Sequence, residues 1–179
     1  ASILEAADEL VAEARHIYLE TKGEDYVANI QKTKTHKKQI TKRISGFVVQ
    51  PVIVSTGHGI RFVAYEDIEL KGGMMIAGVE IELIGKHVRL TPIQLVGEDS
   101  VIQKQRRGWS YTKDNLTYST HKIVSTQMMA PHIELSAEKD LLIQGSMLAA
   151  LDTLYLKAGG NIQVIEELVH HYVQSKHFG

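Results

Sequence analysis

The chain contains no cysteine and only three prolines. Without thiols there is no disulfide staple and no cysteine-based zinc cluster, although the absence does not by itself choose a redox compartment. No apolar run approaches the roughly 18–20 residues that a membrane-spanning helix needs. The start carries no signal-peptide pattern, and Ala1 falls inside a repeat described below, which predicts a fragment of a longer protein. Neither sign of charge prevails: 20 Lys and Arg face 21 Asp and Glu, so wholesale coating of nucleic acid or membrane is disfavoured. HExxH, GxSxG, P-loop and dinucleotide-binding fingerprints are all missing. No enzyme activity, catalytic residue, cofactor or metal site is therefore predicted. No Gly/Ser-rich linker divides the chain, so residues 1–179 read as a single repeat domain.

What is present is a repeat. Residues 133–164 carry four apolar-x-apolar triplets: Ile133-Glu-Leu135, Leu141-Leu-Ile143, Leu154-Tyr-Leu156 and Ile162-Gln-Val164. The first recurs as the third, and the second as the fourth, after 21 residues. Each triplet turns two side chains one way and one the other, the period-2 signature of a half-buried strand. Lys139-Asp140, Gln144-Gly-Ser146, Leu151-Asp152 and Ala158-Gly-Gly-Asn161 separate them with tight-turn chemistry. Ile60-Arg-Phe62, Ile68-Glu-Leu70 and Ile81-Glu-Leu83 repeat the pattern 73 residues earlier, and Val88-Arg-Leu90 74 residues earlier. A fixed period near 20 residues with two short strands per turn is the signature of a solenoid. The expected fold is all-β, a right-handed parallel β-helix with polar β-hairpin or strand excursions between pairs of coils. The repeats fall at approximately 1–54, 55–124 and 125–179.

Residues 1–20 give conflicting signals. Ala, Leu and Glu, with Ser2 and Glu5 at capping-box spacing, suit an amphipathic helix. Alignment of Leu10-Val-Ala12 and Ile17-Tyr-Leu19 with the later triplets favours strands. Residues 21–55 and 91–127 leave the pattern as polar excursions, expected to be arms that pair with each other and cover strand edges. Pro51 and Pro131 are expected just before strands that re-enter the coil, and Pro92 just after one that leaves it.

The first excursion carries Lys32, Lys34, Lys37, Lys38, Lys42 and Arg43, and the second Lys104, Arg106, Arg107 and the only tryptophan, Trp109, with Tyr111 nearby. Cations interleaved with aromatics suit an anionic glycan or cell surface. The competing expectation is a solvated hairpin whose lysines discourage edge pairing, with Trp109 packed beneath the arm. His170, His171 and His177 are the only histidine cluster, but neighbours on a strand face opposite ways and cannot share one ion. Asp8, Asp67, Asp140 and Asp152 recur at turn positions, which suits local backbone hydrogen bonding.

The stretch from Ile133 to Val164 resembles the repeats of filamentous-haemagglutinin-type exoproteins, through Ala137, Asp140, Gly145-Ser146, Ala150, Asp152 and Ala158-Gly159. The earlier copies depart from that pattern, with Glu13-Ala-Arg15-His16 and Ile84-Gly85-Lys86 where Ala-Gly belongs. The resemblance implies a secreted, extracellular bacterial protein exported by two-partner secretion through an outer-membrane partner. It implies an adhesin, or the stick that presents a toxin in contact-dependent growth inhibition. The implied partner is a receptor or glycan on a host or target cell; nucleic acid is disfavoured. The alternatives from other classes are a carbohydrate-active β-helix enzyme and a glycan-binding or anionic-surface-binding module.

Overall fold

The computed structural model describes residues 2–166 and, as backbone only, 173–178. These residues are almost all strand, with no helix. The chain divides into two units, one of residues 1–22, 49–93 and 123–168, the other of residues 23–48, 94–122 and 169–179.

The first unit is a large parallel sheet nearly closed on itself, built from five layers of strand. Layer one is β1 (Ser2–Ala6), β2 (Glu9–Ala14) and β3 (Ile17–Glu20). The chain then forms β4 (Lys22–Lys34) and β5 (Lys38–Gln50). It returns as layer two, β6 (Val52–Thr56), β7 (Gly59–Ala64) and β8 (Asp67–Lys71), and continues into layer three, β9 (Gly73–Ala77) and β10 (Glu80–Thr91). After β11 (Ile93–Arg107) and β12 (Ser110–Val124), layer four is the single long β13 (Thr126–Gln144). Layer five is β14 (Met147–Ala158) with β15 (Ile162–Ile165), and β16 (Val173–Phe178) follows.

Each layer contributes to three parallel ladders, one more than the two triplets per turn expected from sequence. Leu10, Ile60, Ile81, Ile133 and Leu154 stand in register in one ladder; Ile17, Ile68, Val88, Leu141 and Ile162 do so in another. In the third, Leu4, Val54, Met75, Met128 and Leu148 are aligned. Stacking like on like at the strand spacing of about 4.8 Å gives every inward side chain of layers two to four a neighbour above and below. The inward residues of all three ladders in layers two to four form one core, in which Ile60, Ile68, Leu83, Val88, Leu90 and Leu135 have no exposed surface. In layers three and four the third ladder escapes the aliphatic triplet pattern because its inward positions are filled by Met75, Ala77, Met128 and Ala130.

Residues 2–20 are strands and not a helix. Leu10, Ala12 and Ala14 turn inward onto Ile60, Phe62 and Ala64 of β7, so a partnered apolar column outweighs the helix propensity of Ala, Leu and Glu.

The route between layers depends on a few corner residues. Layer two passes directly into layer three at Gly72 and Gly73, with φ of +67° and +93°. A Cβ at Gly73 would lie 2.7 Å from the Val52 carbonyl oxygen, so both backbone angle and space demand glycine. Where the chain leaves and re-enters, buried threonines satisfy the backbone. Thr21 Oγ1 accepts from the Val52 N–H at 3.1 Å, and the Thr126 hydroxyl lies 2.9 Å from the Thr91 carbonyl and 3.2 Å from that of Leu70. Pro51 precedes β6 and Pro92 separates β10 from β11, as expected. Pro131 differs: it lies within β13 at a break in register between Ala130 and His132, a corner inside layer four, where the missing N–H costs no ladder bond.

The second unit is a five-stranded sheet in the order β16-β12-β11-β5-β4, with β11 antiparallel to β5 and β12 antiparallel to β16. The two excursions thus pair with each other through β5 and β11. Asp99 Oδ1 braces this sheet by accepting from the backbone N–H and the hydroxyl of Ser45, both at 2.7 Å, while the Ser45 hydroxyl lies 3.1 Å from that of Thr120.

Candidate functional site: a basic groove at two hairpin tips

The strongest concentration of recognition chemistry lies at one end of the antiparallel sheet, where two hairpins turn side by side. The first reverses over residues 35–37, closed by the Thr35 N–H donating to the Lys38 carbonyl at 2.8 Å. The second reverses at Gly108-Trp109 between β11 and β12. Gly108 has φ of +61° and is the only positive value in that turn, which matches a two-residue type II′ connection with glycine at its first position. The Ser110 hydroxyl donates to the Arg107 carbonyl at 2.9 Å and fixes the reversal. The Arg106 N–H donates to the Lys37 carbonyl at 2.9 Å, so backbone bonding ties the two tips together.

Between the tips lies an open groove of about 520 Å³. Lys34, Lys37, Lys38, Lys104 and Arg106 line it together with His36, Trp109 and Tyr111, and no carboxylate is among the lining residues. Register explains why so many cations coexist on neighbouring strands. Lys38 stands opposite Gln105 and Lys104 opposite Gln39, so neither lysine directly faces another cation across the ladder. Trp109 is fully exposed, with none of its surface lost to the arm; the expected packing of the indole beneath the hairpin is overturned. A two-residue turn displays its second residue outward and leaves nothing beneath it. Tyr111 is half exposed on the same tip.

The structure therefore gathers six of the ten residues singled out in the sequence: Lys34, Lys37, Lys38, Lys104, Arg106 and Trp109. Lys32, Lys42, Arg43 and Arg107 do not line the groove. Arg107 follows Arg106 on a strand and so turns to the other face. Lys42 and Arg43 pair with Val101 and Ser100, further along β5 from the tip. Chemically, the groove offers a positive field without internal neutralisation and two exposed aromatic faces, a combination suited to a polyanion with flat or ring-shaped apolar surfaces.

No family model matches the chain, and no curated protein or solved structure matches it either.

Two arrangements in the parallel unit were hidden in the sequence. Glu82 stacks directly on Glu134, with Arg61 on its other side at 3.9 Å from the Glu82 carboxylate. The 21-residue register alone places Arg61 beside Glu82 and Tyr155 beside Glu134; the carboxylate pair arises because a 52-residue offset spans the second excursion. Likewise Glu9, His58 and Glu80 bring one ligand atom each to within 4.8 Å of one another. They come from three different layers and have no sequence motif. His170 and His171, and the side chain of His177, lie outside the described residues.

Proposed function

We propose that the chain is an extracellular structural and adhesive repeat segment of a secreted bacterial surface exoprotein, a right-handed parallel β-helix that presents a basic groove to an anionic cell-surface glycan. The observation that carries the β-helical reading is the continuous inward column Leu10-Ile60-Ile81-Ile133-Leu154, matched by two further columns around one shared core. Parallel neighbours 20 or 21 residues apart leave room only for a crossover through the other two ladders, and such crossovers are right-handed in nearly all proteins. Such an array is a shaft: its strength comes from repetition, and its function lies in what its excursions display. Export by two-partner secretion, and roles in cell attachment or in presenting a toxin for contact-dependent growth inhibition, follow from the repeat resemblance.

The groove supports the glycan-binding element of this reading, because five cations and an unpacked indole line one groove between the two tips. The test is binding of the 179-residue chain to an immobilised sulfated polysaccharide across a salt series. Saturable binding that weakens steeply between about 50 and 200 mM salt supports it, since neutralising several fixed charges has that dependence. Loss in Arg106→Ala and Trp109→Ala, with Lys42→Ala little changed, would assign it to the groove. Binding that ignores both groove substitutions would sink the assignment.

Glu82 stacked on Glu134 favours a second reading, a glycan-cleaving β-helix, because two adjacent carboxylates can divide acid and base roles. Release of reducing ends from an acidic polysaccharide, abolished in Glu134→Gln, would replace the adhesive reading with this one.

A further inference from the structure

We propose that Glu9, His58 and Glu80 form a binding site for a single divalent transition-metal ion of the zinc class, which fastens the first three layers of the parallel unit together.

The argument starts from the ladder. Glu9 and Glu80 both pair with Gly59, one from each side, so their Cα atoms are two strand spacings apart, about 9.6 Å. Both residues are exposed and could diverge into solvent. Instead, one carboxylate oxygen of each and one imidazole nitrogen of His58 lie within 4.8 Å of one another. The His58 Nε2 is 3.9 Å from Glu9 Oε1, beyond hydrogen-bond length. That distance is within ion-pair range for a protonated imidazole, and Glu80 adds a second carboxylate to the same point with no direct hydrogen bond within the trio.

Gly59 is what makes the gathering possible. It sits between the two glutamates in the ladder with no side chain to separate them, and a Cβ there would come within 3.2 Å of Glu80 Cγ. Glu9, Gly59 and Glu80 also border a concavity of about 160 Å³ shared with Arg61 and Glu82, and His58 stands outside that lining, at the corner. His58 is fixed at the corner by its backbone: its N–H donates to the Asp8 carbonyl at 2.8 Å, and its own carbonyl accepts from the Val79 N–H at 2.7 Å.

The donor set selects the ion. Three protein ligands bonded at about 2.0–2.1 Å to a tetrahedral centre stand about 3.4 Å apart, so small side-chain rotations close the trio and leave a fourth position for water. One imidazole nitrogen with two carboxylates suits zinc and its first-row neighbours, whereas calcium and magnesium prefer an all-oxygen shell. Because the ligands come from layers one, two and three, and the 22–50 excursion separates Glu9 from His58 in sequence, the bound ion would act as a cross-link across that excursion. An ion that binds only the folded arrangement raises thermal stability by mass action.

The experiment is calorimetric titration of the 179-residue chain with zinc, repeated with His58→Gln and Glu80→Gln and with His87→Gln as a control at a different corner. All three substitutions are at incompletely buried positions, and circular dichroism checks that each variant keeps its strand content. The expected result is one saturable zinc per chain at this site, an elevated melting midpoint with zinc, and a visible absorption band of tetrahedral cobalt when cobalt replaces zinc. Both site variants should lose affinity by at least about tenfold, the loss that outer-shell substitutions alone can produce, while His87→Gln binds as the parent does. Absence of saturable binding overturns the proposal. Binding that survives both site substitutions also overturns it and assigns the ion to other histidines.

Discussion

Leu83 has no exposed surface and stacks between Phe62 and Leu135 in register. Its inward column cannot collapse around a hole, because the strands on either side are held by continuous ladder hydrogen bonding. Leu83→Ala should therefore cost about 2–5 kcal/mol, read as a lowered midpoint in urea unfolding. Gly73 tests the backbone rather than the core. Its φ of +93°, with the Val52 carbonyl oxygen 2.7 Å from a would-be Cβ, predicts that Gly73→Ala destabilises by about 1–3 kcal/mol, measured in the same way. Trp109 provides the opposite case. Its indole is fully exposed, so Trp109→Ala should leave the urea midpoint unchanged within about 0.5 kcal/mol while the groove loses its stacking face. An indole that stabilised the fold would show itself as a clear drop in that midpoint.

At the scale of elements, β3 ends in an acid held by two donors. The Tyr18 hydroxyl donates to Glu20 Oε2 at 2.6 Å and the Lys22 ammonium does so at 2.9 Å. The tyrosine bond, then the lysine bond, holds the Glu20 carboxyl below its ordinary value of 4.5, with desolvation opposing. The same contact raises the Tyr18 hydroxyl, chiefly through its hydrogen bond to Glu20. A carboxyl lowered in the folded state binds its proton less readily there than in the unfolded chain. Its stabilisation is therefore complete well above pH 4.5 and is lost as pH falls through the lowered value. The stability difference between the parent chain and Glu20→Gln should be level between pH 4.5 and the ordinary tyrosine value of 10.0, and shrink on both sides of that window, in urea titrations at stepped pH. Because Lys22 is well exposed, added salt should reduce the difference. The excursions obey a different rule: β5 and β11 are held by backbone pairing and the Ser45-Asp99-Thr120 brace, which leaves their tip side chains free to carry charge.

Across the parallel unit, burial is uneven from layer to layer. In layers two to four the inward residues are almost wholly enclosed, but their counterparts in layer five are not: Leu154 is 45% exposed and Val164 71% exposed. In layer one Leu4 is 46% exposed. Apolar columns open at both outer layers invite a further layer or a second chain. The 179-residue chain on its own should thus associate in a concentration-dependent manner by sedimentation velocity, and Leu154→Lys combined with Val164→Lys should weaken that association. A chain that stays monomeric at high concentration would count against open columns as sticky surfaces.

Strand periodicity was legible because it is a local property: Ile60-Arg-Phe62 or Leu141-Leu-Ile143 declares its alternation within three residues, and recurrence after about 21 residues declares stacking. The basic and aromatic character of the excursions was legible for the same reason. The third ladder was not, since Met75, Ala77, Met128 and Ala130 fill its interior without an aliphatic triplet, and only closure around the shared core identifies them as inward. Whether residues 2–20 are helix or strand was likewise decided by β7 and β8, whose columns they continue. The meeting of Lys34 with Arg106, of Glu82 with Glu134, and of Glu9 with His58 and Glu80 depends on strands far apart in the chain. Sequence determined the period, the polarity of each face and the composition of the arms, because those need only neighbouring residues. Tertiary structure decided which faces close on one another and which charges become neighbours, because register across an excursion is set by the packing of whole columns and by no residue within it.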